Sequence, residues 1–131
     1  MSIIVDGSKM FDVTVYWQQV GKKLQILEKK PDVVESGAIT ESVTVSFRYP
    51  DYQIERQIQR SSVSANQNGS SVIDNLTMQS ITFQLLVKKW DLQENGKAVE
   101  LTVENIGRLH PVVMREVIAL MYVELAESGF I

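Results

Sequence analysis

Three features of this chain contain residue types that could support chemistry. His110 is the single histidine and the chain has no cysteine, so no second imidazole or thiolate can complete a metal site. Because His110 directly precedes Pro111, a surface or helix-capping role is favoured over a role as a ligand or base. Glu124 and Glu127 lie one helical turn apart and could hold a cation or share a proton, although a solvated helix face is the better interpretation.

The third feature is Gly96-Lys97, two residue types that also occur in phosphate-binding loops. The pair lacks the upstream glycine and the following serine or threonine with which such loops grip phosphate and magnesium. We therefore predict no catalytic residue, no cofactor and no metal site, and we expect the protein not to be an enzyme. A buried pocket that gathers His110 with Asp or Glu partners would instead favour an enzyme or a ligand-binding domain.

Tryptophan and arginine are the residue types here that could bind another protein. Trp17 and Trp90 combine a large apolar area with one N–H, as interface anchors do, although their positions on apolar stripes favour the core. The arginines around Pro50 and the helix after it could bind an acidic partner or simply keep that helix soluble, and the sequence leaves both open. Apolar surface left over from the core is expected around Trp90 and the final helix. The candidate protein-binding residues are Arg48, Arg56, Arg60, Trp90, Val113 and Met121.

The composition is that of one domain. With 131 residues, the chain is long enough to bury a core without disulfides. It has no cysteine, which is compatible with a reducing cytoplasm. Its net charge of -3 and pI near 5.1 argue against a nucleic-acid partner, because phosphates require clustered Lys and Arg. No export signal and no membrane span are expected, since the longest apolar run, Val117 to Val123, is fenced by Glu116 and Glu124.

The first third of the chain is predicted to contain strands. Residues 3–16 combine an apolar start, the turn pair Asp6-Gly7 and alternating apolar residues, which favours a β-hairpin with one buried face. Residues 17–29 keep helical spacing and are interpreted as a helix. Gly21-Lys22 could equally turn a second hairpin, whose return strand would contain Leu24 to Leu27.

The middle of the chain alternates between connections and short elements. Pro31 to Glu41 is expected to be a connection, and Val43 to Tyr49 alternates as a half-buried strand does. Asp51 can cap a polar helix across Tyr52 to Arg60. Ser61 to Ser71 is rich in Ser, Asn, Gln and Gly, so it is predicted to be a loop.

Helices are predicted for most of the remaining chain. An apolar stripe of Leu76, Phe83, Val87 and Trp90 indicates a helix from about Ser71 to Lys89. Asn95-Gly96 tolerates positive φ and predicts a chain reversal. Thr102 is a plausible N-cap for a short helical turn, and Pro111 leads a final helix over Val112 to Glu127.

These elements predict an α+β fold in one domain, residues 1–131. An N-terminal β-hairpin and a short strand occupy residues 1–50, and the helix-rich part occupies residues 51–131. The final helix must dock on other elements, because burying about six of its apolar side chains contributes roughly 1.5 to 3 kcal/mol each before conformational entropy is subtracted.

Four segments together resemble tail assembly chaperones of long-tailed bacteriophages. They are Phe47-Arg48-Tyr49-Pro50 followed by a basic, polar helix, Leu85 to Leu92 ending in Trp-Asp-Leu, Gly96-Lys97, and Leu101-Thr102-Val103-Glu104-Asn105. The combination extends from about Val43 to the C-terminus. Each motif alone is a common packing signal, so the combination carries the resemblance.

The resemblance implies a small non-enzymatic protein in the host cytoplasm that binds the tape measure protein and recruits tail tube subunits. It also implies absence from the mature virion, and the chain looks like the short form of a family that is often made in short and frameshifted long forms. We expect a homo-oligomer that contacts no nucleic acid and no membrane. The alternative is a structural tail-completion or connector subunit of the virion, and a DNA-binding regulator would need Gln53 to Arg60 as its recognition helix.

Overall fold

A four-stranded antiparallel sheet with helices packed on one face forms the centre of this computed structural model, which describes residues 3–31, 39–65, 71–73 and 75–131. The strands are β1 (Met10–Val20), β2 (Lys23–Leu27), β3 (Ile39–Arg48), β4 (Val63–Ala65), β5 (Ser71–Ile73), β6 (Val87–Trp90), β7 (Gln93–Glu94) and β8 (Lys97–Ala98). The helices are α1 (Tyr52–Ser62), α2 (Asn75–Leu86), α3 (Val103–Gly107) and α4 (Pro111–Glu127). The predicted α+β class is confirmed.

The two faces of the central sheet differ in chemistry because side chains alternate along each strand. The strands lie in the order β2-β1-β3-β6. One face packs on α2 and α4, and α1 packs in turn on α2. The opposite face is polar: the hydroxyls of Thr14 and Thr44 lie 2.9 Å apart, and Ser46 donates to Asp12 over 2.6 Å. The buried core consists of Phe11, Val13, Val15, Trp17, Val43, Val45, Phe47, Phe83, Leu86, Val113, Val117, Met121 and Leu125.

The chain reaches β1 through a turn, so the predicted hairpin over residues 3–16 is only half right. Its alternating part is β1, but Ile3 and Ile4 are 96% and 80% exposed and lie in a bend. Asp6 accepts hydrogen bonds from the backbone N–H and hydroxyl of Ser8, at 2.9 and 2.6 Å. This local turn satisfies the backbone N–H groups of Ser8 and Lys9 and takes the place of the expected first strand.

Residues 17–27 form the second hairpin, and the favoured helix is wrong. β1 continues to Val20, Gly21 adopts a φ of +63°, and β2 returns alongside β1. Positive φ at the first of two loop residues is typical of a type II′ turn, whose twist matches the flanking strands. The helical spacing is overridden because β1 pairs with β2 on one side and with β3 on the other.

The predicted helix over residues 71–89 is also shorter than expected. α2 ends at Leu86, and the next four residues form β6, which pairs with β3. The register shifts between Ser46 and Phe47, so Lys88 forms an irregularity in the ladder. Val87 and Trp90, three residues apart, therefore both pack toward the core. A bulged strand has produced the spacing that indicated a helix.

Two of the predicted middle elements are confirmed, and both predicted connections are shorter than expected. The strand before Pro50 and the Asp51-capped helix are confirmed as β3 and α1, with the Asp51 carboxylate accepting the Ile54 N–H over 2.9 Å. The predicted loop over residues 61–71 is wrong at both ends, because α1 continues to Ser62 and β4 then pairs with β5, which begins at Ser71. Residues 66–70 lie outside the described residues. The predicted connection from Pro31 to Glu41 is wrong at its end, because residues 39–41 belong to β3 and pair with β1. Residues 32–38 lie outside the described residues.

The C-terminal predictions are confirmed, and each rests on a local signal. Asn95 and Gly96 have φ values of 52° and 77° and reverse the chain between β7 and β8. Thr102 accepts the Asn105 N–H over 3.1 Å at the start of α3, and α4 begins at Pro111. Within the described ranges, no helix has both the length and the apolar character needed to cross a bilayer.

Substituting Gly96 with alanine should lower the free energy of unfolding by about 1 to 2 kcal/mol, because an L side chain is strained at its φ of +77°. Urea denaturation would measure the loss. Gly107→Ala is the matched control: its φ is not positive, and an added methyl group meets nothing within 4 Å. That variant should be neutral or slightly more stable. Equal losses at both glycines would contradict the assignment of the turn.

Candidate protein-binding surface

The structure divides the six predicted protein-binding residues between core and surface. Val113 and Met121 are 3% and 0% exposed, and both belong to the core beneath the sheet. The prediction that they form leftover apolar surface is therefore wrong, because the sheet covers this stripe of α4 completely. The remaining four residues are Arg48, Arg56, Arg60 and Trp90.

Both tryptophans use their indole N–H groups inside the fold. Trp17 is buried, and its Nε1 donates to the Glu41 carboxylate over 3.0 Å. Trp90 is half-buried at the end of β6, and its Nε1 donates to the backbone oxygen of Val99 over 2.7 Å. Both tryptophans thus pack within the fold, as their positions on apolar stripes indicated. Trp90 retains a partly exposed ring.

Arg48 is held in place by the residues around it. Its Nε donates to the Tyr49 backbone oxygen over 3.2 Å, and a terminal nitrogen lies 3.4 Å from Asp51 Oδ2. A Cβ on Gly7 would lie 3.2 Å from the same guanidinium group, so the N-terminal turn also packs against it. Since Asp51 caps α1, Arg48 helps to fix where that helix begins.

Arg56 and Arg60 share one exposed stripe of α1 with Tyr52. The three positions are spaced by four residues, so their side chains lie on the same face. Tyr52 is 73% exposed, and the Arg56 guanidinium carbon lies 5.9 Å from the centre of its ring. This distance fits a cation–π contact. In the described part of the chain neither arginine forms an ion pair, and we name Tyr52, Arg56 and Arg60 the arginine ridge.

An open apolar groove of about 200 Å³ lies between α1, α2 and the C-terminal residues. Glu55 and Gln59 line the edge of this α1 groove that lies nearest to the arginine ridge. The hydroxyl of Thr82 in its wall is satisfied, because it donates to the Met78 backbone oxygen over 2.7 Å. The groove therefore offers mainly carbon atoms to a partner. Its apolar side chains include Ile58, Met78, Tyr122 and Phe130.

A second opening, of about 230 Å³, contains His110 together with two glutamates. Each ionisable group already has a partner: Glu41 accepts the Trp17 N–H, and Glu94 lies 3.7 Å from Arg108. His110 Nδ1 accepts the N–H two residues later over 3.2 Å, which confirms its capping role. None of the described lining residues carries a hydroxyl that these groups could activate. Across the described ranges, no cluster of three or more His, Asp or Glu could hold a metal.

Glu124 has a more specific role than the predicted solvated face. Its carboxylate accepts the Tyr49 hydroxyl over 2.8 Å and the Ser128 hydroxyl over 2.9 Å. The Tyr49 ring also stacks on Phe130, with centroids 5.0 Å apart. The hydrogen bond to Glu124, together with burial, raises the pKa of Tyr49. These contacts fasten the C-terminal residues beside the α1 groove to the end of β3.

Tyr49→Phe should reduce the free energy of unfolding by about 0.5 to 1.5 kcal/mol, because the Glu124 carboxylate loses a hydrogen-bond donor while the ring stays in place. The pKa of Tyr49 is raised in the folded state, so its contribution is present at neutral pH and is lost as pH rises past the ordinary tyrosine value. Chemical denaturation at neutral pH measures the difference. Tyr16→Phe, on the polar sheet face, is the control and should change stability by less than about 0.5 kcal/mol.

Comparison of this chain with protein-family models, curated proteins and solved structures finds no match. The structure brings Arg56 and Arg60 together on the arginine ridge and places Arg48 and Trp90 elsewhere. Tyr52 was missed by sequence reasoning, although a lone aromatic at the start of a polar helix was a usable signal. No local feature of the sequence indicates the α1 groove, because its walls come from segments that are distant in sequence.

Proposed function

We propose that this protein is a tail assembly chaperone of a long-tailed bacteriophage that binds the tape measure protein and recruits tail tube subunits. The observation that carries the proposal is that the segments of the resemblance are joined in space. Phe47 of β3 pairs with Val87 of β6. Trp90 then donates its indole N–H to Val99, and the Val99 N–H donates to the Leu92 oxygen over 2.9 Å.

The connected unit continues into α3. Asn105 donates its backbone N–H to the Thr102 hydroxyl and its side-chain N–H to the Glu100 oxygen, at 3.1 and 2.8 Å. Its side-chain oxygen accepts from Arg108 over 3.2 Å. Parts of three of the four segments thus form one contiguous unit, residues 87–108, and Phe47 of the remaining segment pairs with Val87 of that unit. Contacts between these segments are what we expect if the segments belong to one family pattern.

The α1 groove and the arginine ridge supply the partner-binding surface in this proposal. A helical segment of the tape measure protein would place apolar side chains in the groove and acidic side chains against Arg56 and Arg60. Tyr52 adds an exposed aromatic ring, a residue type that is common at interface centres. Because the groove is open, the contact would be modest and reversible, which suits a chaperone that tube subunits must replace.

Co-purification with the tape measure and tube proteins of the same phage tests the proposal. The tagged protein should retain the tape measure protein, and tube subunits should be recovered with that complex. An unrelated long helical protein of similar charge serves as the control for non-specific coating. Recovery of neither partner, or equal recovery of the control, would contradict the chaperone role.

Mass spectrometry of purified mature particles separates the chaperone from the alternative of a structural tail-completion or connector subunit. A chaperone should be present in infected cells during assembly and missing from finished particles. A structural subunit should remain in stoichiometric amount. Finding the chain at a fixed ratio to the tube protein in mature particles would overturn the proposal.

A further inference from the structure

The outer edge of β2 presents hydrogen-bonding groups to which no described strand is paired. β2 is one of the two end strands of the sheet, and the two-residue turn Gly21-Lys22 joins it to β1. The pair that closes such a hairpin is hydrogen bonded, and bonded pairs alternate along an antiparallel ladder. The closing pair here is Val20 with Lys23. The odd-numbered residues of β2 therefore direct their backbone groups to β1, whereas Leu24 and Ile26 direct theirs outward.

We propose that a second copy of this chain pairs antiparallel with this edge about a two-fold axis at Gln25. This register aligns all five residues of β2 with those of the second copy. It places Leu24 of each copy opposite Ile26 of the other. Both are outward-bonding positions, so each pair can exchange two backbone hydrogen bonds. The two four-stranded sheets would then form one continuous sheet across the dimer.

Side-chain chemistry favours a second copy as the occupant of this edge. Leu24 and Ile26 are half-buried on the core side, so their pairing extends the apolar face of the sheet. Just beyond each strand end, the register brings exposed Lys22 opposite exposed Glu28, which gives two complementary charge pairs per dimer. Additional lysines flank the strand, and their excess positive charge makes the dimer weak and concentration-dependent. This inference does not depend on the proposed function.

Cysteine cross-linking tests the register, and the absence of native cysteine makes the experiment clean. In Q25C the two thiols face each other at a non-hydrogen-bonded pair, where Cα atoms lie about 4.5 Å apart and a disulfide can form. K23C places its thiols about 14 Å apart in the same dimer, beyond disulfide reach. Under mild oxidation, Q25C should give a covalent dimer on a non-reducing gel at least about tenfold more abundant than K23C.

Amide hydrogen exchange supplies a second measurement on the unmodified chain. The N–H groups of Leu24 and Ile26 should exchange more slowly as protein concentration rises, whereas Gln25 and Leu27 should be protected at every concentration because they bond to β1. Equal cross-linking of the two cysteine variants would overturn the proposal. So would exchange at Leu24 and Ile26 that is independent of concentration. Neither outcome would bear on tape measure binding, which is measured separately.

Discussion

Phe47→Ala is expected to lower the free energy of unfolding by about 3 to 5 kcal/mol. Phe47 is 0% exposed, stacks on Phe11 with ring centroids 5.4 Å apart and meets the edge of Phe83 at 5.5 Å. Removing the ring leaves a cavity between β1, β3 and α2 that the two neighbouring rings cannot fill without strain. A domain of this type is stable by about 5 to 15 kcal/mol, so the loss is a large fraction of the total.

Urea denaturation followed by circular dichroism measures this loss, and Tyr52→Ala is the matched control. Tyr52 is also aromatic but is 73% exposed, so its truncation should change stability by no more than about 0.5 kcal/mol. A loss at Phe47 no greater than that at Tyr52 would contradict the position of β3 at the centre of the core.

The double variant R56E/R60E is expected to weaken binding of the tape measure protein by about 100-fold, if the proposed partner surface is correct. Removing one member of a hydrogen-bonded charge pair that is buried in the complex costs about 2 to 5 kcal/mol, and about 2.7 kcal/mol corresponds to a factor of 100. Charge reversal adds repulsion from the partner's carboxylates. Because both side chains are exposed and outside the core, the fold should be retained. Isothermal titration calorimetry with a purified tape measure segment measures the affinity.

The control for charge is K88E/K89E, which makes the same change in net charge on exposed residues of β6. Its binding should remain within about threefold of the original chain, because the partner does not contact β6 in the proposed complex. Equal weakening by both double variants would indicate a non-specific electrostatic effect. Unchanged binding by R56E/R60E would show that the arginine ridge does not contact the partner.

The parts of the fold that could be predicted from sequence are those set by local chemistry. The two-residue alternation around Val13 and Val45 is incompatible with a helical stripe, so both strands were identified. The caps at Asp51 and Thr102 and the turn at Asn95-Gly96 depend on side chains and φ preferences within a few residues. All the residues that determine such a cap or turn lie within a short stretch of sequence.

The parts that could not be predicted depend on neighbours distant in the chain. Trp17 belongs to a strand because β3 and β2 lie on either side of it. The helical spacing of the residues around Trp17 does not indicate that these two strands are present. Val87 and Trp90 point to the same side because the ladder with β3 is irregular at Lys88. A three-residue spacing alone cannot distinguish such a bulged strand from a helix.

The candidate protein-binding surface likewise has parts that could be predicted from the sequence and parts that could not. Arg56 and Arg60 were identified correctly as exposed, since arginine is costly to bury without a partner. Met121 was placed wrongly because an apolar helix stripe does not reveal how much of it the sheet will cover. The α1 groove exists only after α1, α2 and the C-terminal residues have come together, so no single segment of sequence encodes it.

The packing of β1 against α4 has a consequence for synthesis of the protein. β1, β2 and β3 leave the ribosome before α4, so their ladder can form while the part of their apolar face that α4 covers is still exposed. The nascent chain therefore carries exposed apolar sheet surface until α4 has been translated and has docked on it. A premature stop before Pro111 would release a sheet without its α4 cover, and the exposed apolar surface would promote aggregation.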